Sequence, residues 1–137
     1  MESYPTIASV VLDGTDIRVL AEFYRQLFGL KYGPGDEPPA EGQPDPKGED
    51  WLVLQGAGVS VAFQQVAEQA PSTWPDAAVP QQLHLDTSVP SVEELNHQHD
   101  RALSLGARLV LDRSEDQAEP LRVYADPAGH PFCIFVA

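Results

Sequence analysis

The stretch Gln81 to Asp86, Gln-Gln-Leu-His-Leu-Asp, places an imidazole two residues from a carboxylate. In an extended chain, successive side chains point to opposite faces. His84 and Asp86 then share a face with Gln82, while Leu83, Leu85 and Thr87 share the other. An apolar face packs on a core. An imidazole beside a carboxylate on the opposite face can ligate a metal, move a proton or hydrogen-bond a bound molecule.

Elements able to position that pair follow in order. Ile7–Asp13 reads as a β-branched strand, and Asp16 as the N-cap of a helix with Ile17, Leu20, Phe23, Tyr24, Leu27 and Phe28 at helical spacing, stopped by Gly29. Leu30–Tyr32, Trp51–Leu54 and Val59–Val66 read as strands, with Gly56-Ala57-Gly58 as a turn. Between them, residues 33–50 contain five prolines, four glycines and six acidic residues, the composition of a mobile loop. Residues 67–80, with three prolines around Trp74, read as a linker and lid.

The second half repeats this order. Gln81–Ser88 is a strand, and Ser91 with Glu94 three residues later forms a capping-box signature. The helix carries Val92, Leu95, His99, Ala102 and Leu103 as its apolar stripe and ends at Gly106. Ala107–Leu111, Leu121–Ala125 and Phe132–Val136 are strands, the last preceded by the turn Asp126-Pro127-Ala128-Gly129. Superposing the halves sets Ser9 on His84, Asp16 on Ser91, Phe63 on Phe132 and Gln64 on Cys133.

One helix per half leaves one sheet face to cover. Ala8, Val10 and Leu12, Val59, Val61 and Phe63, Leu83 and Leu85, and Phe132, Ile134 and Val136 supply it. The other faces offer Ile7, Ser9, Val11, Asp13, Ser60, Ala62 and Gln64, then Gln82, His84, Asp86, Cys133 and Phe135. Arg122 and Tyr124 are candidates to join them. This mixture suits the wall of a ligand cavity. Trp51 and Trp74 could stack on a planar ligand, Trp51 also serving as core filler.

Bulk properties narrow the partners. A net charge of −13, from 8 basic and 21 acidic residues, repels nucleic-acid phosphates and anionic lipid. Apolar runs fall short of the roughly 20 residues needed to cross a bilayer, and the start lacks a signal-peptide pattern, so the expectation is cytoplasmic. A single cysteine, Cys133, excludes an internal disulfide and a multi-cysteine zinc cluster.

The order of these marks, Asp16 through Phe23-Tyr24 to Leu27-Phe28-Gly29-Leu30, Phe63-Gln64, His84-Leu85-Asp86, and Asp126-Pro127-Ala128-Gly129 before Phe132-Cys133, resembles the vicinal oxygen chelate superfamily. That superfamily includes glyoxalase I, bleomycin-resistance proteins and extradiol dioxygenases. The similarity spans nearly the whole chain and points to a small bacterial glyoxalase-like group. It implies an α+β fold, one domain over residues 1–137. Module one covers about 5–66, a linker about 67–80 and module two about 81–137. Two βαβββ modules would form a curved, cup-shaped eight-stranded sheet with helices outside. It implies a homodimer and a small-molecule ligand. It also implies four cup-facing metal ligands, here Ser9, Gln64, His84 and Cys133.

That set departs from the family pattern. The cysteine stands where the resemblance implies a final glutamate, which would also be the general base of a glyoxalase-type isomerisation. Three readings remain. The first is a metal-free binder, sequestering or resistance-type, using Ser9, Gln64, His84, Asp86 and Cys133 with Trp51 and Phe135 as walls. The second is a lyase, isomerase or dioxygenase with a divalent metal on His84 and Gln64, or with His84 as acid/base residue beside Asp86. The third is an interaction module with a filled cup.

Overall fold

The structure is a computed structural model that describes residues 2–56 and 58–137. Ala57, the centre of the expected Gly56-Ala57-Gly58 turn, lies outside the described residues. Two compact units are formed, one reaching to Glu68 and one starting at Gln69. The proline-rich segment 69–80 therefore clusters with the second unit.

In the first unit, β1 (Ser9–Gly14) leads to α1 (Ile17–Phe28), β2 (Lys31–Tyr32), β3 (Trp51–Gln55) and β4 (Ser60–Gln65). The sheet order is β1-β4-β3-β2, with β1 parallel to β4 and the remaining pairs antiparallel. The Asp16 carboxylate accepts from Val19 N–H at 3.2 Å, and Gly29 ends the helix at φ 64°. Gln65 completes the cap from β4. Its Oε1 accepts from Ile17 N–H at 3.2 Å, and its Nε2 donates to Thr15 O at 2.6 Å. Leu12, Leu52, Leu54 and Phe63 are buried with Ile17, Leu20, Phe23 and Tyr24 of α1, and the Tyr24 and Phe63 rings stand 5.7 Å apart.

The 33–50 segment is pinned, contrary to its loop-like composition. Arg18 on α1 grips both carboxylate oxygens of Asp45 at 2.8 and 2.9 Å and donates to Asp36 O at 2.7 Å. Its guanidinium also lies over the Tyr32 ring, 5.1 Å from the centroid. Asp36 is buried and accepts from Val53 N–H at 2.9 Å, while Asp45 accepts from Gly48 N–H within a 3-10 turn region at Lys47–Glu49. Two of its six acidic residues, Asp36 and Asp45, are the anchors of the loop.

The second unit repeats the plan with β5 (Leu85–Val89), α2 (Val92–Leu105), β6 (Arg108–Arg113), β7 (Leu121–Ala125) and β8 (Pro131–Val136), in sheet order β5-β8-β7-β6. Both units together give the expected α+β class of two βαβββ modules with eight strands. Ser91 Oγ accepts from Glu94 N–H at 3.1 Å as the capping signature requires.

Several expected boundaries and faces move. Strand β5 starts at Leu85 rather than Gln81, and Leu83 is 47 % exposed. The β8 residue that would continue the ladder to His84 is Pro131, which has no N–H to donate. Ile7, Ala8 and Val59 likewise precede their strands and are exposed. On α2, Leu95 and Ala102 are buried but Val92 and Leu103 are exposed. The stripe runs Leu95–His99–Ala102, and Leu103 lies at its edge, about 80° from Leu95.

Arg122 and Tyr124 face α2, not the open face of the sheet. Arg122 is buried and donates to Asn96 Oδ1 at 3.0 Å, and Tyr124 OH lies 2.8 Å from His99 Nδ1. Arg122 Nε is 3.3 Å from Asp112 Oδ1 without hydrogen-bond geometry, leaving a charge contact only. Parity assigned by polarity failed in β7. Its polar residues find partners on the helix, and its apolar residues face away.

Candidate functional site

Strand alternation places Asp86 on β5, Cys133 and Phe135 on β8, Leu121 and Val123 on β7 and Leu111 and Arg113 on β6 on one face. The cross-strand pairs Asp86–Cys133–Val123–Leu111 and Phe135–Leu121–Arg113 align them in rows. This is the face away from α2. It forms the floor of a cavity of about 280 Å³. His84 reaches the same cavity from just before β5, and Trp74, Gln81 and Glu119 complete its wall from the flanking segments.

His84 Nε2 lies 3.1 Å from Asp86 Oδ1, both side chains about half exposed. Below them Cys133 is 7 % exposed. Burial pushes its thiol up to about 11, and the negative charges of Asp86 and Glu119 push the same way. At neutral pH it is a protonated thiol, which is a poor nucleophile and a poor metal ligand.

Trp74 is held by its own loop. Thr73 N–H donates to Val79 O at 2.8 Å, Ser72 Oγ accepts from Trp74 N–H at 3.2 Å, and Val79 N–H donates to Thr73 Oγ1 at 2.8 Å. Upstream, Pro71 packs on Gly129, and Gln69 Nε2 lies 3.1 Å from His130 Nε2. Asp126 shapes that turn by accepting from Ala128 and His130 N–H at 2.9 and 3.0 Å.

Of the seven residues proposed from sequence, His84, Asp86, Cys133 and Phe135 are brought together here. Ser9, Gln64 and Trp51 belong to the first unit. They share the sheet face away from α1, with Trp51 paired to Gln64 and Gln64 to Asp13 across the strands. Arg113, Glu119, Leu111, Leu121 and Val123 were missed. The alternation of β7 carries a signal for Leu121 and Val123, since every second residue is apolar and the candidates Arg122 and Tyr124 turn to α2.

The strand registers also revise the internal superposition. Asp13, three residues before the Asp16 cap, pairs with Gln64; Ser88, three before the Ser91 cap, pairs with Phe135. Measured from the caps, the counterpart of Gln64 is Phe135, and that of Cys133 is Ala62.

The donors do not fit the metal that the fold family implies. The second-unit cavity offers one imidazole with the Asp86 carboxylate beside it, a protonated thiol and, on the flanking wall, the Glu119 carboxylate. Among the described residues no three His, Cys, Asp or Glu side chains are grouped to hold a metal ion. Hard cations want several charged oxygens, and zinc wants thiolate or more imidazole.

Two βαβββ units, each a helix-backed sheet with one open face, define a glyoxalase-type protein. The sequence matches the model of the glyoxalase-like domain family over residues 9–135, and the chain belongs to that family within the vicinal oxygen chelate superfamily. Solved structures share the fold. A glyoxalase/bleomycin resistance protein/dioxygenase family enzyme from Burkholderia phytofirmans PsJN aligns with TM-score 0.71 and 17 % identity over 96 % of this chain and 98 % of that one. The fosfomycin resistance protein FosX from Mesorhizobium loti aligns at 0.68 and 10 % identity over 98 % and 94 %. A glyoxalase-related enzyme from Fulvimarina pelagi aligns at 0.66 and 21 % identity over 98 % and 89 %. No curated protein matches the sequence. No helix among the described residues is long and apolar enough to cross a membrane.

Proposed function

We propose that the protein is a small-molecule binder of sequestering or resistance type that acts without a metal. The observation carrying this reading is the cavity of about 280 Å³, with an apolar floor and convergent polar groups at His84, Asp86 and Glu119. His84 and Asp86 orient the ligand by hydrogen bonds, and Trp74 and Phe135 supply aromatic walls. Ser9, Gln64 and Trp51, on the open sheet face of the first unit, are proposed as ligand contacts of that unit. The family membership supports a bacterial, cytoplasmic homodimer. A neighbour named as a fosfomycin resistance protein shows that the fold can serve resistance.

The alternative, a divalent-metal lyase, isomerase or dioxygenase on His84 and Gln64, is disfavoured by the donor chemistry. Stoichiometric metal in protein purified without a tag would reinstate it. The binder reading is tested by thermal-shift screening of metabolites and antibiotics. Hits are expected to stabilise the wild type and to lose most of their effect in His84→Ala and Trp74→Ala. A broad library that yields no stabilising compound overturns it.

A further inference from the structure

We infer that the second-unit cavity selects a ligand with one positive charge on a flat aromatic body, an inference that rests on the binder reading above. The charges around the cavity are unequal. Asp86 and Glu119 stand on its wall, both near enough to Cys133 for their charge to act on the thiol. The opposing cation is Arg113, which is exposed and also lines a second cleft with Asp112, Ser114, Glu115 and Asp116. There its charge falls on Asp116, whose carboxyl is held below its usual range mainly by the Glu119 and Ala118 N–H groups and further by Arg113. Asp112 is engaged by Arg122. On the cavity wall itself that leaves Asp86 and Glu119 against Arg113, whose charge is shared with the second cleft.

The chain's net charge of −13 adds a long-range field of the same sign. An anion entering this site meets repulsion, and a cation meets attraction. Apart from Gln81 the remaining wall is apolar, with Trp74 and Phe135 as aromatic surfaces. A cation over an aromatic face gains a further attraction, and a flat ring can lie along the indole. The volume suits a fused bicyclic ring bearing a short amine arm. Cys133, held as a thiol, offers no covalent step.

Three probes with one ring and different charge test this: tryptamine, indole-3-ethanol and indole-3-acetate. Binding to the full chain is measured by calorimetry, together with the Trp74 indole N–H signal. Tryptamine is expected to bind at least about tenfold more tightly than either of the others at low salt, with the preference shrinking at high salt. Glu119→Gln, a change at an exposed side chain, is expected to narrow the preference. Equal or tighter binding of the alcohol or the acid overturns the charge inference and leaves the binder reading standing. If none of the three binds, the charge inference also fails, and the binder reading is judged by the library screen alone. A preference unaltered by Glu119→Gln would likewise contradict it.

Discussion

Asp86 and Cys133 stand opposite each other in the parallel β5–β8 ladder, and their side chains face the same cavity. Burial first, and the carboxylate after it, keep the thiol protonated. The neutral sulfur is then part of the cavity floor, beside the polar groups of His84 and Asp86.

Cys133 should therefore react slowly with thiol reagents. Its labelling by a disulfide reagent is expected to be at least about a hundredfold slower at pH 7.5 than that of a free peptide thiol, and to rise about tenfold per pH unit from 7 to 9. A rate that levels off below pH 8 would show an activated thiolate and contradict the assignment.

The grip of Arg18 on Asp45 and Asp36 is expected to stabilise the first unit. Arg18→Ala should cost about 2 kcal/mol in urea unfolding, and Arg18→Lys most of that, because an ammonium cannot hold both carboxylate oxygens. The 33–50 segment should become the first site of limited proteolysis. Unchanged stability in both variants would sink the account of the loop.

The same network sets a pH dependence. The Arg18 guanidinium holds Asp45 below its ordinary 3.8, and the Arg25 guanidinium holds Glu22 below 4.5. Depressed carboxylates contribute stability that is present above their unfolded values and is lost as pH falls through the folded ones. The urea midpoint should thus fall from about pH 4 downward, and less steeply in Arg18→Ala. At the alkaline end Tyr32 and Tyr124 are pushed up to about 12, mainly by burial. Their contribution is complete below the ordinary value of 10 and is lost as pH rises toward 12.

Much of the fold was legible because it rests on local signals. Asp16, Ser91, Gly29 and Gly106 mark the helix ends, and alternation marks the strands. The pinned 33–50 segment was not legible, since its anchors join residues up to 27 apart in sequence. Nor was the start of β5. His84 continues an alternating pattern perfectly, and only Pro131, far along the chain, ends the ladder there. Four of the seven residues expected at the site, His84, Asp86, Cys133 and Phe135, line one cavity, and period-two alternation is enough to group them. Arg113 and Glu119 could not, because their place depends on the β6–β7 register and its irregularity between Leu109 and Leu111.

Gly129 links the Asp126 turn to the Trp74 loop. It sits at φ 90°, and a Cβ there would approach Pro71 Cβ to 2.4 Å. Gly129→Ala should cost about 2–3 kcal/mol through backbone strain and the displaced proline. Trp74 fluorescence should change with it. A variant as stable as the wild type, with unaltered emission, would show that the turn does not position the wall.

The proposed binding of small molecules by the second unit, between Trp74 and His84, can be read at the tryptophan itself. The direct measurement is the ¹⁵N-resolved indole N–H signal of Trp74, assigned with Trp74→Phe, during titration with compounds that raise the melting temperature. The account predicts a saturable shift of that signal and affinity at least about tenfold weaker in His84→Ala. Stabilising compounds that leave the Trp74 signal in place and bind His84→Ala as tightly as the wild type would contradict it.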